Sequence, residues 1–157
     1  MSKHKEIFNG GRLPAGQYWV GDLCYVMHSE WTEFCDKTWP ADGSEVEGII
    51  TLDDGRTCGY MRTAYGDGCY DAIGHRGKFL GDLGVDAGLI GCIRVADIDQ
   101  ANPENNLGLG IIVNFPEPFE LSKGGRDEGM LHFGNEVTVQ TSYTEEEEQD
   151  DVDGDRW

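Results

Sequence analysis

The apolar residues of this chain come in short runs, and nearly every run ends at a glycine, an aspartate or a proline. Leu13-Pro14-Ala15-Gly16 reads as a turn, followed by two short strands, GQYWV and CYVM, on either side of Gly21-Asp22. The period then changes. In SEWTEFCDKTW the large apolar residues Phe34, Cys35 and Trp39 fall three, four and eight positions after Trp31, which puts all four on one helical face. Ser29 offers a side-chain oxygen suited to an N-cap. Pro40, which has no N–H, stops the helix. Beyond the loop ADGSE, VEGIITL and TCGYMRT flank Asp53-Asp54-Gly55-Arg56 and predict a hairpin whose glycine takes the positive φ.

A glycine-rich middle, residues 64–88, follows. LIGCIRV (89–95) is almost continuously apolar and predicts a central strand buried on both faces. LGIIVNF (109–115) predicts another buried strand, and residues 96–106 between them a polar connection with one helical turn. Pro116 and Pro118 mark a bend or sheet edge, because proline cannot donate to a ladder. PFELS and GMLHFG flank KGGRDE as a second hairpin, and EVTVQTS alternates, with Val137 and Val139 on one face. Eight to ten short strands and one helix predict a mainly β fold, α+β by count. Its form is a β-sandwich or a partly closed barrel of short antiparallel strands. The early helix is expected to cover an open edge or end of the sheet.

Composition and charge extend this picture. A chain of 157 residues suffices for one domain with a real core, and 10% aromatic residues argue against wholesale disorder. We read residues 1–12 as a flexible lead-in, 13–143 as a single β-rich domain and 144–157 as a disordered acidic tail. The tail buries too little apolar area to offset its ordering entropy. The formal net charge is −18. Residues 145–157 hold eight of the 30 acids and one of the 12 bases, a net of −7; the remaining 22 acids and 11 bases leave −11 on the rest. Such a chain repels nucleic acid and anionic membranes and favours cations and basic protein surfaces. Simple hydration of a charged surface is the plainer alternative. Five cysteines, an odd number without C-x-x-C, predict neither a disulfide framework nor a zinc knuckle. No apolar run follows the charged start, and none reaches membrane-spanning length. The expectation is a soluble, cytoplasmic protein with reduced thiols and no membrane partner.

Candidate chemistry gathers at the Gly-Asp corners. Asp22, Asp67, Asp82 and Asp86 fall where strands should end. If three met, they would form a hard oxygen site for Mg²⁺ or Ca²⁺, or a carboxylate pair for acid–base work. Aspartate and glycine are also turn formers in their own right. Cys24 and Cys69 each follow a Gly-Asp and precede a tyrosine, but a reactive thiolate needs a positive neighbour. His28, His75 and His132 are available, and nothing local pairs one with a cysteine; an adjacent carboxylate would raise the thiol pKa, the wrong direction. Gly74-His75-Arg76-Gly77-Lys78 is the one basic, glycine-containing cluster and looks like a hairpin loop, not a phosphate loop. Asp151-Val152-Asp153-Gly154-Asp155 lacks the full calcium-loop pattern. Aromatic residues interleaved with basic ones, the mark of nucleic-acid binding, are absent.

GQYWVGDLCYVM, TAYGDGCYD, VDAGLIGCIRV and IIVNFPEPFEL, as an ordered set over residues 13–141, resemble a family of small β-rich proteins of bacteriophages and bacteria. The resemblance implies a phage or prokaryotic origin; it implies no activity and assigns no catalytic residue. Two readings of function remain. One is an acidic, phage-encoded interaction protein that docks on a basic host protein, such as one that binds nucleic acid, and blocks it. The other is a small-molecule- or metal-binding domain, or a hydrolase, with Asp22, Asp67 and Asp86 lining a pocket and Cys24 or His75 beside them. The first is preferred, because the charge is a property of the chain and the pocket depends on how the loops meet.

Overall fold

The computed structural model describes residues 12–38, 47–124 and 129–142. The lead-in up to residue 11, the acidic tail, the ADGSE loop, the helix-stopping Pro40 and most of the KGGRDE turn lie outside them. Among the described residues there are ten strands and one α-helix. In chain order these are β1 (Gly16–Gly21), α1 (Trp31–Thr38), β2 (Gly48–Thr51), β3 (Thr57–Arg62), β4 (Gly68–Ile73) and β5 (Phe79–Val85), then β6 (Leu89–Arg94), β7 (Ile111–Phe115), β8 (Leu121–Gly124), β9 (Met130–Phe133) and β10 (Val137–Gln140). They form two five-stranded sheets, ordered β2-β3-β6-β1-β7 and β5-β4-β10-β9-β8, with every pair antiparallel. The result is a sandwich, not a closed barrel.

The period-2 pattern explains the core between the sheets. Tyr18, Val20, Met61, Ile90, Cys92 and Phe115 from the first sheet meet Tyr70, Ala72, Leu83, Leu131, Phe133, Val137 and Val139 from the second. Phe115 and Phe119 stack with centroids 3.9 Å apart, and Tyr18 meets both edge-on. Where the sheets meet beside β8, Lys123 Nζ lies 2.7 Å from Glu47 Oε1, their side chains only 8% and 16% exposed. Glu47 also accepts from the Arg62 N–H, so one carboxylate ties β8 of the second sheet to β3 of the first.

The first sheet has a second core on its other face. Trp19, Ile50, Cys58, Tyr60, Leu89 and Ile93 project outward there and are covered by Leu23, Val26, Met27 and by Phe34 of α1. The helix thus covers a sheet face, not the open edge or end expected of it. The apolar stripe of α1 needs a broad apolar partner, and the outward residues of β3 and β6 supply one. Ser29, suited to capping that helix, accepts a hydrogen bond from Asn102 Nδ2 at 2.9 Å.

Strand β6 lies in the middle of its sheet and has its first five residues buried, as its continuous apolar run predicts. Two other expectations need correction. CYVM is not a strand: Leu23–Tyr25 is a 3₁₀ turn, because the Asp22 side chain accepts from Cys24 N and bends the chain after β1. β7 is not a buried strand but the edge of the first sheet, and Ile112 is 53% exposed. The Asp53–Arg56 hairpin forms as expected, with Gly55 at φ +95°. Among the described residues no helix is long and apolar enough to cross a membrane.

Candidate functional site

Three of the four corner aspartates, Asp22, Asp67 and Asp86, converge at one end of the sandwich, but their roles differ. Asp22 is fully buried. Its Oδ1 accepts from Cys24 N at 3.0 Å, and its Oδ2 accepts from Asp86 N at 2.7 Å and Ala87 N at 2.6 Å. One carboxylate therefore pins the β1 corner to the β5–β6 corner, 64 residues away in sequence. Charge-assisted bonds to main-chain N–H groups are the strong kind, and both oxygens are occupied. Asp67 and Asp86 sit on the flanking corners with exposed side chains. Arg62 joins this end: its Nη1 donates to Ala87 O at 3.3 Å. Among the described residues no group of three or more His, Cys, Asp or Glu is placed to hold a metal ion.

The cysteine at this end is poorly suited to attack. Burial first, then Asp22, then Asp86 and Asp67, push the Cys24 thiol well above its ordinary value. Burial, with Cys24 and the same three carboxylates, raises the Tyr25 hydroxyl to about 12. Both groups keep their protons at neutral pH, and a protonated thiol is a weak nucleophile. All five cysteines are free of disulfides.

His75 is elsewhere. It begins the turn that joins β4 to β5, whereas Asp67 and Asp86 flank the opposite ends of those strands. Six residues of β4 separate the two ends, roughly 20 Å of extended chain. The His75 ring instead faces Glu136, Nε2 to Oε1 3.3 Å. It lines a groove of about 660 Å³ with Arg12, Pro116, Glu117 and Glu136. Of the five candidates, then, Asp22, Asp67, Asp86 and Cys24 come together, and His75 does not join them.

Asp82 has a different setting. It lies within β5, not at a strand end, and faces Asp71 of β4 directly across the ladder, both exposed. They belong to the outer face of the second sheet, which Leu109 and the Tyr25 hydroxyl approach at Gly84 of β5. The register runs a row across all five strands of this face: Phe79, Ile73, Thr138, His132 and Ser122. Phe79 is 55% exposed. His132 Nδ1 and Thr138 Oγ1 are 3.0 Å apart, and burial lowers the imidazole pKa, so the ring favours its neutral form. The other half-buried members of the row are Ile73, Thr138 and Ser122. The face thus offers one aromatic, one aliphatic, one neutral imidazole and a facing acid pair. Sequence reasoning passed over Asp71, Ile73 and Phe79; the alternation Tyr70-Asp71-Ala72 was the available signal. Comparison with protein-family models, with curated proteins and with solved structures found no match to this chain.

Proposed function

We propose that this protein is an acidic interaction protein that binds a basic surface on another protein and blocks it. The observation that carries the reading is the formal charge of −18, of which −11 lies outside residues 145–157. Complementary charge accelerates encounter and rejects wrong partners, while a buried apolar contact supplies the lasting affinity. A target that binds nucleic acid suits this charge best, since its surface is already built to receive phosphates. The resemblance to phage and bacterial proteins supports a phage origin and action in the host cytoplasm. The hydrolase reading gains little support from a Cys24 thiol held protonated and an Asp22 carboxylate engaged by main-chain N–H groups.

The test is capture on the immobilised full chain at low salt, followed by purification of each retained protein and titration at several salt concentrations. The expected outcome is a basic protein whose dissociation constant rises at least tenfold between about 50 and 200 mM salt, as release of screening ions requires. Retention of neutral or acidic proteins alone, or salt-independent binding, would overturn the reading.

A further inference from the structure

Among the described residues, most of the apolar surface of the two sheets is covered. The inner faces of both sheets close on each other, and the outer face of the first sheet lies under α1 and the 3₁₀ turn after β1 except at its β7 edge, where Ile112 is exposed. The outer face of the second sheet, approached by Leu109 and Tyr25 at Gly84, carries Phe79, 55% exposed and paired with Ile73 across the β4–β5 ladder. A large exposed aromatic on a sheet face suits a contact surface.

Beside that apolar pair, Asp71 and Asp82 occupy opposed positions. Side chains so placed have Cβ atoms about 5 Å apart, and like charges there destabilise the sheet. Among the described residues neither carboxylate has a hydrogen bond or ion pair to a cation. A planar guanidinium offers donors on two sides and fits between two carboxylates.

We propose that the β4–β5 part of this face is the docking surface, and that its occupant is an arginine-bearing, apolar-flanked surface of the basic partner. The partner's guanidinium lies between Asp71 and Asp82, and an aliphatic or aromatic side chain covers Phe79 and Ile73. This rests on the proposed function and specifies where binding occurs. A second copy of this chain is disfavoured as occupant, because stacking two such faces would bring four carboxylates together.

The probe is a synthetic peptide alternating arginine and leucine, titrated into the isotopically labelled full chain at low salt while backbone amide signals are followed. A peptide alternating glutamate and leucine is the control. Expected are saturable shifts centred on Asp71, Asp82, Ile73 and Phe79, and no response to the acidic control. Asp71→Asn/Asp82→Asn should weaken binding about tenfold, and Phe79→Ala by a similar factor. The free Asp71→Asn and Asp82→Asn variants should each melt at or above the wild-type temperature, since removing one of two facing like charges relieves repulsion. A drop in melting temperature would make these acids structural and overturn the assignment. Peptide binding that ignores all three substitutions, or maps to the Asp67–Asp86 end, would overturn the surface while leaving the acidic-binder reading intact. No binding at low salt would overturn both. Self-association abolished by Phe79→Asp would assign the face to a second copy instead.

Discussion

Asp22 is the residue on which the corner geometry turns. Three main-chain N–H groups converge on a carboxylate with no exposed surface. Asp22→Asn turns an acceptor oxygen into an amide nitrogen facing a donor, and should cost about 2–3 kcal/mol. Asp67→Asn and Asp86→Asn, at exposed positions, should stay within about 0.5 kcal/mol. Urea unfolding of the three variants, compared at equal slope, checks the contrast. A second residue-level expectation concerns pH. Burial lowers the His132 pKa below its ordinary 6.5, so the unfolded chain binds that proton more readily than the folded one. The stability it carries is present above 6.5 and is lost as pH falls through the lower, folded value. His132→Gln should therefore flatten the loss of unfolding free energy between pH 6.5 and that lower value, measured against wild type by urea titration. Sequence marked Asp22 as special but gave no means to learn its role, since its partners Asp86 and Ala87 are brought near only by the fold.

At the scale of elements, close packing leaves individual positions little freedom. Gly91 of β6 faces Tyr60 of β3, and a Cβ there would collide with the Gly59 carbonyl oxygen and with Leu23. Gly91→Ala should destabilise the fold by about 3 kcal/mol or more, or prevent soluble expression; circular dichroism on heating reports either result. Lys123→Met would leave Glu47 without its cation between β8 and the first sheet. The expected loss is about 2 kcal/mol, measured by denaturant unfolding. Element-level reading from sequence succeeded where periodicity was unambiguous, in LIGCIRV and in Val137-Thr138-Val139. It failed at Ile111-Ile112-Val113, because an apolar run looks the same at an edge as at a centre, and strand order is set by nonlocal pairing. Register was equally hidden. Counting outward from the Ile73–Phe79 pair sets Gly81 opposite Asp71; an irregularity between Ala72 and Ile73 brings Asp82 there instead.

For the whole molecule, the two faces of the sandwich divide the work. One sheet is covered on both sides except at its β7 edge, and the outer face of the other carries Phe79 and the facing acids. The sandwich class was legible from many short strands and glycine corners. Which sheet the helix would cover was not, since α1 is only eight residues long and its place depends on where β3 and β6 present Tyr60, Leu89 and Ile93.

Strand β6 gives Ile90 and Cys92 to the core between the sheets and Leu89 and Ile93 to the core under the helix. Neither compartment can melt without stripping a wall from the other, so the molecule should come apart in a single step. Amides of β6 ought to exchange with heavy water only at the rate of complete unfolding, so that damage beneath the helix is felt at the outer face of the second sheet as lost population, not as altered shape.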